Sequence, residues 1–548
     1  MGGAVLLAAQ AAAAQPAVQQ LGADFWAWRG TTQPASSDDI PRIVRPAGWV
    51  PDWSPTGVAA QRRQLAAFEA RWQALETAPR TVAEKVGYRL VGSALARVHW
   101  EMDHVAAWRR QPHFYTAQAL NPVFEVLLPP PPVARARLEE VIRLLANAPA
   151  ILAAGRANLD DMRGPFVDVA LGQLAEVPES LRGMAAGLAP HADAGQRKRL
   201  VAVLDKAIAA FADYAAFLKS KRAGLSEQTA VGRESYRYFL GNVGIYPYSP
   251  EQLVAMGRQE WARSVLFETL ERNRNAGLPE LPIGPSIGAV TARLNAEELK
   301  VRRFLTEKNL LTVPDWVGHY KAQPFPAYLA PIGWLGRTFD FTSIDRTGQD
   351  ATVYLPDPSP KLGYFNLSIM RDPRPIIVHE GVPGHFFQLS LSWRNPDPLR
   401  RRYYDSGANE GTGFYAEEMM LQAGFWADAP KTREIIYNFA RLRALRVEVD
   451  VKLALGEFTI AQAADYLERM VPMDRATARE EATFFAAAPG QAISYQIGKM
   501  QTTEFLAEAR VREGKSFDLR RFHDYLWTNG NVPIALQRQE YLSMVSGE

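Results

Sequence analysis

The sequence predicts a mainly α fold with one small β element, and three observations carry this. Apolar residues recur at three- and four-residue spacing through most of the chain, as at Leu65, Phe68, Trp72 and Leu75, which gathers them on one helical face. β-type runs are confined to a stretch rich in Gly, Pro and aromatics that begins near Pro324. Strands never alternate regularly with helices and no fixed-period repeat is visible, which argues against a doubly wound sheet and a solenoid.

In chain order, Ala4 to Ala14 is an Ala-rich apolar run ending at Gln15. It has the apolar region and small-residue end of an export signal without the basic start. Residues 1–20 therefore read as a signal-like or disordered segment, and the protein as periplasmic or secreted, with the cytoplasm as the alternative. Residues 20–55 mix Pro, Ser and Asp with Trp26, Trp28, Trp49 and Trp53, and read as an irregular segment pinned by its aromatics. Helical patterning begins near Val58 and continues over about 81–110, 132–155, 166–188, 194–223, 250–275 and 285–309. Pro129 to Pro132 and Pro247-Tyr248-Ser249-Pro250 punctuate it, and Ser249 with Gln252 makes a helix start. Ala351–Leu355 and Gly363–Ile369 read as strands of a small antiparallel sheet or ribbon beside the site. Helices return over about 407–425, 430–455, 459–470, 473–487, 490–513 and 516–528. The expected organisation is a helical region over 21–320 and a site-bearing region over 321–548, in one integrated fold.

Composition narrows the function. The chain has 548 residues, 47% hydrophobic, with 62 basic and 59 acidic side chains, enough for a large core and too balanced for a nucleic-acid groove or a polybasic membrane patch. No later run approaches the roughly 18–20 apolar residues that span a membrane. Cys is absent, so any metal must sit on His, Asp and Glu.

Ile376 to Gln388 holds the chemistry. Three apolar residues, Ile376, Ile377 and Val378, lead into His379-Glu380, and His385 follows. Two of the chain's eight His fall within seven positions. Two imidazoles and a carboxylate behind an apolar approach are the parts of a zinc hydrolase site. A lone His-Glu pair on a helix is more often a surface ion pair, but apolar neighbours imply burial, and a buried charge needs a partner or a metal. In a uniform helix, residues six apart point roughly 240° apart, too far to share an ion. Pro383-Gly384 lies between them, so the helix is expected to bulge or break there and return His385 to His379. Glu380 is placed to take a proton from the attacking water. Glu410 is the best third ligand, at the start of an amphipathic helix. Glu417, two turns on, can orient a ligating imidazole, although both also suit an ordinary acidic face.

His379-Glu380-Gly381-Val382-Pro383-Gly384-His385-Phe386-Phe387-Gln388 resembles the His-Glu-x-x-Pro-Gly-His-x-x-Gln signature of the bacterial DUF885 family, candidate zinc metallopeptidases related to the helical gluzincins. Glu410-Gly411 through Tyr415-Ala416-Glu417 resembles that family's second block, with Thr412 in place of Trp. Pro489 to Gly498 resembles a third block, and the helix Arg441–Asp450 also fits. The resemblance implies a helical body with a deep channel, a zinc ion, and hydrolysis of peptides, with carboxypeptidase action as one form. Carried over, His379, His385 and Glu410 become ligands and Glu380 the general base. Glu417 and Asp450 support the centre from behind, and Tyr495 donates to the oxyanion. Arg443 and Arg446 are candidates for holding a substrate carboxylate, or form structural salt bridges. Asn366, in what reads as a strand, is a candidate contact for an extended peptide. Ala454 stands where relatives carry His, which raises His523 as a substitute donor. The rival functions are a catalytically weak peptide-binding protein and a zinc hydrolase of a non-peptide amide or ester.

Overall fold

The computed structural model describes residues 16–35, 43–75 and 81–546. The Ala4–Ala14 run lies outside them. Helix α1 (Pro16–Thr32) spans the end of the stretch read as signal-like or disordered, 1–20, and the start of the stretch expected to be irregular, 20–55. The reason is visible in the spacing: Val18, Leu21, Phe25 and Trp28 are buried along one face, and Phe25 and Trp28 pack on Phe68.

The N-terminal half continues as α2 (Pro55–Gln73), α3 (Val82–His99), α4 (Pro112–Leu127), α5 (Arg135–Asn158), α6 (Gly164–Leu188), α7 (Ala194–Lys221), α8 (Pro250–Arg274) and α9 (Ile287–Glu307). Ser249 and Gln252 cap α8 reciprocally, as the sequence suggested. Helix α4 was not anticipated, nor was the short helix Arg233–Tyr238.

The β element is a three-stranded sheet ordered β1 (Tyr320–Pro324), β3 (Ala351–Leu355), β2 (Phe339–Asp340). It is mixed where an antiparallel ribbon was expected: Tyr320 pairs with Ala351 in a parallel ladder, and Phe339 with Val353 in an antiparallel one. The stretch read as a second strand, Gly363–Ile369, is instead helix α10 (Tyr364–Arg371). Its first turn is held by Asp474, which accepts the Tyr364 N–H, a partner invisible to local pattern.

Then follow α11 (His385–Ser392), α12 (Ser406–Gln422), α13 (Pro430–Leu455), α14 (Ile460–Met470), α15 (Arg475–Ala487), α16 (Ile493–Glu513), α17 (Leu519–Thr528) and an unanticipated α18 (Ile534–Ser546). Helix α12 crosses α16 at glycines: a Cβ on Gly411 or Gly498 would overlap the other helix. Helix α13 lies along α8 with ion pairs in the seam, among them Arg258–Glu448 and Arg441–Glu268. Packing does not break at residue 320. One apolar cluster joins Leu120, Leu145 and Phe211 to Tyr354, Leu399, Tyr403 and Leu536. Between the two halves lies a cavity of about 1700 Å³.

Candidate metal centre

The chain reaches the site through a widened π-type turn, Ile377–Gly381, breaks over Val382 to Gly384, and restarts as α11 at His385. This is the distortion that the six-residue spacing demanded. Gly384 makes it possible, because any Cβ there would overlap the His379 carbonyl. The two imidazole centroids end 4.7 Å apart.

Helix α12 supplies the third group. Asp405 caps its start through the Ala408 N–H, and Glu410 sits one turn in. This helix is not amphipathic: every residue from Gly407 to Glu417 is buried. Glu410 Oε2 lies 3.3 Å from His379 Nε2 and 3.1 Å from His385 Nε2. Ligand atoms on a tetrahedron with bonds of about 2.0–2.1 Å stand about 3.3 Å apart, so two nitrogens and one oxygen are spaced to hold a divalent metal. Gly413 leaves room for both rings; a Cβ there would lie 3.1 Å from His385 Cε1 and 3.2 Å from His379 Cε1. Glu380 also comes within 4.8 Å of both imidazoles. However, its oxygen is 3.9 Å from His385 Nε2, farther than Glu410, and Glu380 faces the cavity. That division suits Glu410 to ligation and Glu380 to proton transfer.

Behind the cluster, Glu417 Oε1 lies 2.7 Å from His379 Nδ1, an ion-pair contact that orients the ring with Nε2 toward Glu410. Arg443 fixes Glu417 with both fork nitrogens, at 2.8 and 3.0 Å. Burial and the Arg443 charge push the His379 pKa down, but Glu410 and Glu417 outweigh them and hold it at about 9. Burial likewise opposes ionisation of Glu410, yet His385 and His379 hold it well below the usual carboxylate range. Both shifts describe a centre arranged around positive charge. His385 Nδ1 is buried without a hydrogen-bond partner among the described residues.

The remaining candidates fall in several places. The Tyr495 ring stacks on His379 at 6.2 Å and 13°, and lines the cavity. Arg446 lies 4.7 Å over its face but gives both fork nitrogens to Glu481, at 2.6 and 2.7 Å. With Arg443 paired to Glu417, both guanidinium groups form the structural salt bridges that were the alternative reading, and both line the cavity. Asn366 lines the cavity from a helix, so it offers no strand edge. Asp450 supports Tyr495 rather than the ligands: its carboxylate accepts the N–H groups of Gly490, Ala492 and Ile493 at the start of α16, and the Tyr236 hydroxyl. Burial pushes Asp450 up to about 6 against those donors. Thr412 is buried and accepts from Gln388, which in turn holds Asn409. Ala454 sits in an apolar cluster with Tyr236 and Ile497. His523 is a satisfied core residue, bonded to the Leu310 carbonyl and the Tyr415 hydroxyl. Burial pushes its pKa down to about 4, so it does not replace the missing donor.

Sequence reasoning missed Tyr320. It comes from unanticipated strand β1, its ring 2.8 Å from where a Cβ on Gly381 would lie, and its buried hydroxyl feels the Glu380 charge. Glu481 was also missed, since nothing local pairs it with Arg446.

Fold and site define a class: a large helical protein with a two-His, one-Glu centre on the wall of a deep cavity. The chain belongs to the DUF885 family, described as bacterial proteins of unknown function, whose model matches residues 42–304 and 358–540. The unmatched interval contains all three strands. Two solved structures share the fold. A candidate lipoprotein of unknown function from Shewanella oneidensis matches with a TM-score of 0.71 at 18% identity, over 97% of this chain and 100% of that one. One from Colwellia psychrerythraea matches with a TM-score of 0.73 at 17% identity, over the same shares. No curated protein matches the chain. Among the described residues no helix is long and apolar enough to cross a membrane.

Proposed function

We propose that the chain is a zinc-dependent hydrolase that cleaves peptide bonds in oligopeptides. One observation carries this: the Nε2 atoms of His379 and His385 lie 3.3 and 3.1 Å from the same Glu410 oxygen, with Glu380 beside them on the cavity side. Zinc, when bound, polarises a carbonyl and makes water a better nucleophile. The chain's own groups do the rest. Glu380 accepts the proton of the attacking water and returns it to the leaving amine. The Tyr495 hydroxyl donates to the oxygen that gains charge, from a ring held by His379 and Arg446. Glu417 and Arg443 fix the orientation of His379. The cavity exceeds the roughly 300–1,000 Å³ of ordinary small-molecule sites, which favours an extended ligand. With both arginine forks committed, carboxypeptidase action has no carboxylate anchor in this pair. The candidate lipoproteins among its neighbours, together with the Ala-rich start, support work outside the cytoplasm, in the periplasm.

The test is metal content followed by turnover. About one zinc per chain is expected, lost in His379→Ala/His385→Ala, as a three-ligand site requires. Glu380→Gln should keep the metal and slow cleavage of unblocked oligopeptides by at least about 100-fold. A chain that takes up no zinc when it is supplied, or a Glu380→Gln variant with full activity, would overturn the reading.

A further inference from the structure

The wall of the cavity formed by α4 carries three hydrogen-bonding groups that the fold leaves unmet. They are His113 Nδ1, Thr116 Oγ1 and Asn121 Nδ2, all buried without partners among the described residues. Thr116 is 1% and Asn121 2% exposed, yet both line the cavity with His113 and Ala117. Positions 113, 116, 117 and 121 share one helical face, so the row runs about 12 Å along the axis. That is the length of three to four residues of extended chain at about 3.3 Å each.

The row also has a chemical character. Helix α6 and the turn Ala330–Leu335 pack against α4. They contribute Val169, Gln173 and Trp334 to the lining. Among the described residues, no charged side chain of these three elements lines the cavity. Burial pushes His113 down to about 4, although a bond to the Phe166 backbone resists it, so the ring is neutral. Its Nδ1 is left to accept, Asn121 Nδ2 to donate, and the Thr116 hydroxyl to do either. An alternation of acceptor and donor is what a peptide main chain can satisfy. A charge brought here would lose its water and find no counter-charge on these three elements; the charged lining begins beyond them, at Arg337.

We propose that the α4 face is a second subsite, remote from the metal cluster, that binds an uncharged, extended segment of an oligopeptide through His113, Thr116 and Asn121. This rests on the peptide reading above but not on turnover. The test is calorimetric titration of the full chain carrying Glu380→Gln, so that no peptide is cleaved. The probes are hexapeptides with one shared core whose residue at one end, then at the other, is Gln, Leu, Glu or Lys. At one end Gln should bind at least 10-fold tighter than Leu, Glu or Lys. Thr116→Val with Asn121→Leu should remove that advantage, bringing Gln level with Leu; Thr116→Val alone should give part of the loss, and unfolding midpoints check the fold of each. Equal affinities across the panel, or a preference for Gln over Leu kept in the double variant, overturn this inference and leave the hydrolase reading standing. No binding by any peptide, in protein that still holds metal, overturns both.

Discussion

Two walls of the same cavity are finished in opposite ways. On the metal wall every charge described has a counter-charge: His379 meets Glu417, Glu417 meets Arg443, and Arg446 meets Glu481. On the α4 wall the lining groups are neutral, and three of them lack partners. Two histidines lining this one cavity report the difference. His379, among carboxylates, is held near 9, and His113, buried without them, near 4. The reason lies in the cost of each arrangement. A buried ion without its partner costs several kcal/mol, so it must be paired within the fold. A neutral group left unmet costs about 1–3 kcal/mol, a penalty a fold can carry until a ligand removes it. On the proposed function, the first wall is thus ordered before a substrate arrives, and the second is where a substrate would add bonds.

The largest effect should come from a residue that touches no ligand. Gly384→Ala puts a methyl group into the His379 carbonyl, so the break between Gly381 and His385 cannot close. We expect zinc occupancy to fall below a tenth of wild type by elemental analysis. Occupancy near wild type would mean that the two histidines do not depend on this turn. Next is Arg443→Met, which leaves Glu417 and its buried charge with only His379. It should cost about 3–5 kcal/mol in urea unfolding and weaken zinc about 10–100-fold. A loss within measurement error would show that Arg443 is not the support of the imidazole.

The two histidines also separate the walls by pH. An unfolded chain protonates His113 near 6.5, whereas the folded chain resists until about 4. Between those values the unfolded state binds more protons, so this residue's contribution to stability is present above pH 6.5 and lost as pH falls through 4. The slope is about 1.4 kcal/mol per pH unit, or up to about 3 kcal/mol in all. His113→Gln should flatten the stability profile over that window relative to wild type. Parallel profiles would mean that the ring is not held neutral by the wall.

The same contrast decided what was legible in the sequence. The metal wall could be read because its chemistry is local: His379 and His385 bracket a Pro-Gly break, and Glu410 and Glu417 sit seven residues apart on one helix. Mainly α architecture followed from apolar spacing, and the start of α8 from Ser249 and Gln252. The α4 wall could not be read. Twelve of the sixteen residues of Pro112–Leu127 are buried, polar and apolar alike, and Pro122 lies inside the helix, so no single apolar stripe remains. Alternation at Phe365, Leu367 and Ile369 imitates a strand, and the cap that makes it a helix comes from Asp474, 110 residues away. The sequence left the arginine forks between substrate and salt bridge for a like reason: the Arg446 partner, Glu481, is 35 residues downstream. What was missed depends on contacts between segments, and the sequence states only the segments.

The smallest effect is the sharpest test of the comparison, because its sign differs between the walls. Thr116→Val keeps the shape of the side chain and removes a hydroxyl that is 1% exposed and unpartnered. If that group is unmet in the free protein, its loss relieves a desolvation cost, and stability should rise by up to about 1 kcal/mol. On the metal wall, truncating Glu417, Arg443, Arg446 or Glu481 strands its charged partner, so these substitutions should destabilise. Urea midpoints of Thr116→Val and wild type, without ligand, decide the matter. A fall of about 1 kcal/mol would mean that the hydroxyl already has a partner, such as a bound water, and that a peptide must displace it rather than complete an unfilled row.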